Sequence, residues 1–114
     1  MAVKATAKYV RVAPRKAREA GDLIRGKSVA EARSVLIFAN RNSARVVAAV
    51  LESAVANAEH NNALSADDLY VQEVRVDEGP TLKRWKFRAM GRVNRIRKRS
   101  SHITVAVDQR EGRS

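Results

Sequence analysis

Between Val76 and Ser101 the chain abandons any core-forming pattern, and this interval constrains the fold more than any other part of the sequence. The valine-rich segment Leu69–Asp77 reads as a strand before it. His102–Val107 reads as a strand after it, with Ile103, Val105 and Val107 on one face and Thr104 and Ala106 on the other. The two are expected to pair antiparallel. A structureless connection of roughly two dozen residues is uncommon inside a compact domain. The interval is therefore expected to be a long β-hairpin, at about 79–101, reversing near Gly91. About thirteen residues per limb at ~3.3 Å each span roughly 40 Å, whereas a compact domain of this length has a radius of gyration of about 13 Å. Such a hairpin must protrude.

Its charge says what it needs. Residues 79–107 hold nine basic side chains, Lys83, Arg84, Lys86, Arg88, Arg92, Arg95, Arg97, Lys98 and Arg99, and no acidic one. Like charges repel and few apolar groups are available for burial, so the arm calls for an anionic partner. Residues 1–18 add Lys4, Lys8, Arg11, Arg15, Lys16 and Arg18, again without an acid, while residues 19–78 hold six basic against ten acidic residues, a net of −4. The chain's +11 is thus concentrated in two basic segments flanking a mildly acidic body. A polyanion, and nucleic acid first, is the expected partner. Trp85 and Phe87 lie among the cations of the arm; arginine makes bidentate phosphate contacts and aromatic rings offer stacking surfaces for bases. A solvated charged loop is the plainer alternative, but the acid-free run lies between two strands and not at a chain end.

The remainder reads as a small body. Val3–Val12 suggests a strand with a basic face through Lys4, Thr6 and Lys8. Ala13-Pro14 opens a helix, with Ala17, Ala20, Gly21 and Ile24 on one side, Arg15, Lys16, Arg18 and Arg25 elsewhere, and Gly26 at its C′ position. Ser28 and Glu31 form a capping-box pattern for a second helix through about Phe38. A third helix is expected from near Arg41 to Glu59, its core stripe formed by Ala44, Val47, Ala48, Leu51, Ala54, Val55 and Ala58, with Asn61-Asn62 ending it. The expected fold class is α+β: one domain spanning residues 1–114, with three helices packed on a small antiparallel three-stranded sheet and a long protruding β-hairpin.

Several chemistries are expected to be absent. The 114 residues contain no cysteine, which removes disulfides, thiolate metal sites and a cysteine nucleophile. Met1-Ala2-Val3-Lys4 lacks the apolar core of a signal peptide, and no run approaches the ~18 apolar residues that cross a bilayer. A soluble cytoplasmic protein is expected. Gly21-Asp22-Leu23-Ile24-Arg25-Gly26-Lys27-Ser28 satisfies the pattern of a phosphate-cradling loop, but that loop follows a strand, and here the first glycine lies inside a predicted helix. A nucleotide hydrolase using Lys27 is the weaker reading. His60 and His102 stand without a ligand cluster, and Asp67, Asp68, Asp77 and Glu78 sit at strand boundaries, where turn and capping duties are usual. No catalytic residue, cofactor or metal is expected. An architectural DNA-binding protein is a second rival, but Met90-Gly91-Arg92 makes a poor apolar wedge for a minor groove.

The segments Arg11-Val12-Ala13-Pro14-Arg15-Lys16-Ala17-Arg18, Asp22–Lys27, Ser53–Asn61, Val76–Arg84 and Lys98–Val105, in this order and over nearly the whole chain, resemble the bacterial large-subunit ribosomal protein of the "twenty-two" family. The resemblance implies a non-enzymatic constituent of the large ribosomal subunit that binds the 23S ribosomal RNA and aids assembly. It also implies a hairpin arm that lines the nascent-polypeptide exit tunnel, with a tip at Arg88, Ala89, Met90, Gly91, Arg92, Val93, Asn94 and Arg95. Partners implied are that RNA, neighbouring large-subunit proteins and the nascent polypeptide, with no membrane and with the protein monomeric within the ribosome. RNA contacts are expected from Lys4, Lys8, Arg11, Arg15, Lys16 and Arg18 on the body. On the arm they are expected from Lys83, Arg84, Trp85, Lys86, Arg88, Arg92, Arg95, Arg97, Lys98 and Arg99.

Overall fold

A computed structural model describes residues 2–39, 41–78, 82–87, 93–98 and 100–109, with 82–87 and 93–98 described by backbone alone. The described elements are β1 (Val3–Val10), α1 (Pro14–Ile24), α2 (Val29–Ala39), α3 (Asn42–Asn62), a 3-10 turn (Ala66–Asp68), β2 (Leu69–Glu78), β3 (Leu82–Phe87), β4 (Val93–Lys98) and β5 (Ser101–Gln109). The architecture is α+β, as the sequence pattern predicts. β1, β5 and β2 form an antiparallel sheet in that order, and β3 and β4 form a separate two-stranded ladder.

α1 begins at a proline because a first-turn residue needs no amide partner. It buries Pro14, Ala17, Ala20, Gly21 and Ile24. Gly21 is there for close approach: a Cβ at this position would lie 2.7 Å from Val74 Cγ1, so only glycine lets α1 come this near to β2. The helix then meets a structural demand that the sequence pattern does not display. β2 is an edge strand, and an unpaired strand edge is a row of orphan carbonyls and amides. Arg18 donates from Nε and Nη2 to the Val76 carbonyl at 3.3 and 3.1 Å, and Arg25 donates to the Val74 carbonyl at 2.7 Å. Beyond the helix, the Gly26 amide donates to the Val71 carbonyl (2.9 Å) and the Val71 amide to the Lys27 carbonyl (2.8 Å).

These contacts dissolve the phosphate-loop match. Gly21 is helical, Gly26 takes φ +84° just past the helix end, and its amide is already committed to β2. Ser28 Oγ accepts the Glu31 amide at 3.3 Å, which caps α2 as the sequence pattern predicts. The Glu31 carboxylate completes the pair by accepting from the Ser28 hydroxyl at 3.4 Å.

α3 is the central beam, burying Ser43, Ala44, Val47, Val50, Leu51, Ala54, Val55 and Ala58. Ala48, expected in that stripe, is only partly buried against the core, and Val50 takes a buried place instead. Arg33 on α2 clamps α3 through a two-pronged contact to Glu52, at 2.7 and 2.8 Å. That hydrogen bond is the main reason the guanidinium pKa is raised. The helices cover one face of the sheet, where Leu69, Val71, Ile103, Val105 and Val107 are each at most 1% exposed. The chain as a whole is elongated, at 71 × 27 × 17 Å with a radius of gyration of 17.4 Å.

α3 ends at Asn62, where Ala63 adopts a left-handed conformation (φ 54°, ψ 33°) and the Leu64 amide donates back to the Ala58 carbonyl at 3.1 Å. This is a glycine's position held by an alanine. Ala63→Gly is expected to stabilise the protein by about 0.5–1 kcal/mol, the relief of the left-handed strain exceeding the added freedom of the unfolded chain. A urea midpoint that stays put or falls counts against this assignment of the cap.

Candidate nucleic-acid interface

The cations of the body gather at one corner of the fold. β1 gives way to α1 through Arg11-Val12-Ala13, and this turn is tied down by Ser101. Ser101 is fully buried, and its Oγ donates to the Val12 carbonyl at 2.6 Å. The anchor fixes the start of α1 beside the start of α3. A cleft of about 470 Å³ opens there, lined by Arg11, Val12, Ala13, Lys16, Arg41, Asn42 and Ser43.

Two features make this cleft suited to an anion. Three cations reach it from three different places: Arg11 before α1, Lys16 on α1 and Arg41 immediately before α3. The amino ends of both helices also lie in its wall. Neither Ala13 nor Arg41, the capping positions, contributes a side-chain cap, and neither helix has an acid in its first turn. First-turn amides and the positive end of each helix dipole then add to the side-chain charge. Ser43, only 6% exposed, lines this cleft and the neighbouring one. Glu19 lies 3.8 Å from Arg15 and 3.9 Å from Arg41, and all three are exposed enough for solvent to screen the attraction.

Of the residues the sequence predicts, Arg11 and Lys16 are brought together here, while Lys4 and Lys8 stand exposed along β1. Arg15 is exposed beside Glu19. Arg18 is engaged twice over with Val76, which assigns it a part in holding α1 to the sheet edge. Arg41 is the residue that sequence reasoning passed over. Its position just before a helix start is readable in the sequence, but its meeting with Arg11 and Lys16 depends on how α1 and α3 are placed.

The arm is described through its register. Leu82 stands opposite Lys98, Lys83 opposite Arg97, Arg84 opposite Ile96, Trp85 opposite Arg95, Lys86 opposite Asn94 and Phe87 opposite Val93. Basic residues therefore occur along both limbs of an antiparallel ladder. Arg88, Ala89, Met90, Gly91, Arg92 and Arg99, assigned above to the tip and arm, lie outside the described residues.

Among the described residues no group of three or more His, Asp or Glu side chains could hold a metal ion, and no helix is long and apolar enough to cross a membrane. His60 is exposed in the last turn of α3, and His102 Nδ1 accepts the Tyr9 amide at 3.1 Å.

Comparison with known proteins finds a family and close relatives. A family model described as ribosomal protein L22p/L17e matches residues 5–108. A large ribosomal subunit protein uL22 from Rubrobacter xylanophilus is 56% identical over 110 residues, covering 96% of this chain and 87% of its own length. The protein of the same description from Desulfitobacterium hafniense strain Y51 is 57% identical over 110 residues, covering 96% of each chain. That from Halothermothrix orenii is 50% identical over 111 residues, covering 97% of this chain and 98% of its own.

Proposed function

The chain belongs to the ribosomal protein L22p/L17e family, and from that premise we propose how its residues serve the ribosome. It is a non-enzymatic structural constituent of the large ribosomal subunit, an RNA-binding protein of the cytoplasmic translation machinery. Its partners are ribosomal RNA and other ribosomal proteins.

The mechanism is scaffolding by charge neutralisation. Separate RNA helices resist close packing because their phosphates repel. A protein that supplies cations in fixed positions displaces the counterions and lowers that repulsion. One domain spanning residues 1–114 presents two such sets of cations. The body offers Arg11, Lys16 and Arg41 around the cleft, Lys4 and Lys8 along β1 and Arg15 on α1, with Arg18 holding α1 to the sheet edge. The arm, about 79–101, offers Lys83, Arg84, Lys86, Arg88, Arg92, Arg95, Arg97, Lys98 and Arg99, with Trp85 as a stacking residue. Its tip at Arg88–Arg95 faces the nascent polypeptide as part of the exit-tunnel wall, and the protein is monomeric within the subunit.

The observation that carries this reading is the convergence of three cations and two helix starts without side-chain caps on one cleft, in a chain that carries further basic residues on both limbs of a separate two-stranded ladder. Cosedimentation with large subunits through a high-salt gradient tests it. The protein should travel with the subunit under salt that strips loosely bound basic proteins, and release at low salt would refute stable incorporation.

A further inference from the structure

β1 contains one residue whose backbone is strained, and that residue is an exposed aromatic. Tyr9 has φ +56°, a left-handed conformation that residues other than glycine, asparagine and aspartate rarely adopt. The cause lies in the register. Ala7 pairs with Ile103 and Val10 with Ser101, so Lys8 and Tyr9 together stand against His102 alone. This is a β-bulge, a device that bends a strand and re-aims a side chain. Glycine is the residue such a position favours. Here the sequence places tyrosine instead, and burial does not compensate the strain, because Tyr9 is 64% exposed.

The ring is nonetheless held. The Tyr9 amide donates to His102 Nδ1 at 3.1 Å, and the two rings meet edge to face, with centroids 4.8 Å apart and planes at 89°. One side of the tyrosine is braced while most of its surface stays open. Lys4, Lys8 and Arg11 are exposed along the same strand and the turn that follows, and residues 1–18 contain no acid. A rigid aromatic surface among cations suits a partner that is both anionic and flat.

We infer that Tyr9 is a stacking platform for an unpaired nucleobase of the large-subunit RNA, presented by the bulge and braced by His102. The inference rests on the RNA-binding reading above and assigns Tyr9 a part that charge alone does not. A nucleobase is favoured over a protein side chain because the surrounding cations place phosphates, and hence bases, beside the ring.

Full-length Tyr9→Gly, Tyr9→Phe and Lys8→Ala proteins separate the possibilities, through the unfolding midpoint of the free protein and the affinity for deproteinised large-subunit RNA across a salt series. Tyr9→Gly keeps the backbone amide that His102 accepts and removes the strain, so its midpoint should rise. Its RNA affinity should fall roughly 5- to 100-fold, the range for one lost base stack. The log–log salt slope should not change, because stacking releases no counterions, whereas Lys8→Ala should reduce it by about 0.7–0.9. Tyr9→Phe should bind within about twofold of the parent. RNA affinity of Tyr9→Gly within twofold of the parent overturns the inference, and if incorporation into subunits is nevertheless impaired, the ring's partner is a protein. A loss that flattens the slope as Lys8→Ala does also overturns it, since the ring would then only position cations, as does a lowered midpoint, which would make the ring structural. A parent protein with no salt-dependent affinity for that RNA would instead remove the RNA-binding reading itself.

Discussion

Alanine at Arg11, Lys16 and Arg41 together is expected to weaken binding to deproteinised large-subunit RNA about a hundredfold near 0.15 M salt, and to reduce the slope of log affinity against log salt by about 2–2.7. The figures follow from counterion release, at about 0.7–0.9 of slope for each phosphate contact, which at that salt is roughly four- to fivefold in affinity per residue. The fold should survive, because Arg11, Lys16 and Arg41 are all exposed and the buried anchor from Ser101 to Val12 is untouched. Among the described residues the one ion pair lost is the 3.9 Å contact between Arg41 and Glu19, which is exposed and contributes little. Titration at several salt concentrations is the deciding measurement. An affinity lowered at every salt with an unchanged slope would mean that the cleft shapes the binding surface without meeting a phosphate. An unchanged affinity would move the RNA contacts of the body elsewhere.

Arg41 also marks where sequence reasoning stops. The elements of the body are legible because each rests on a local rule: Pro14 and Gly26 bound α1, Ser28 and Glu31 cap α2, and the alanine-rich stripe of α3 repeats at helical spacing. What local rules cannot supply is which ends meet. Arg11 and Arg41 lie thirty positions apart, and they share a cleft because α1 and α3 start side by side. The same reason hides the bonds of Arg18 and Arg25. Both read as surface cations of a helix until β2 proves to be the edge strand whose carbonyls need donors. Tyr9 is the extreme case. Nothing within ten residues of it signals a bulge, since the extra residue exists only relative to β5, more than ninety positions on. The arm is the opposite case: an acid-free basic interval between two strand patterns is announced by composition alone.

Replacing residues 79–100 with a two-residue Asn-Gly turn is expected to separate the two halves of the molecule. Glu78 is paired with Ser101, so a tight turn can close β2 onto β5 without disturbing the ladder below. The described buried core lies wholly within Val12–Val76 and Ser101–Val107. The truncated body should therefore fold, and it should be more stable than the parent by up to about 2 kcal/mol, since closing a two-residue loop costs less entropy than closing one of twenty-two. RNA binding should move sharply the other way. Nine cations leave with the arm, and if about half of them meet phosphates the salt slope falls by about 4 and affinity near 0.15 M salt by on the order of a thousandfold. The opposed signs carry the argument: a segment that raises affinity while contributing nothing to the free body is ordered by its partner, the phosphates supplying what its own side chains cannot. A truncated body several kcal/mol less stable than the parent would show that the arm folds as part of the domain, and the cations along it would then owe their arrangement to the protein alone.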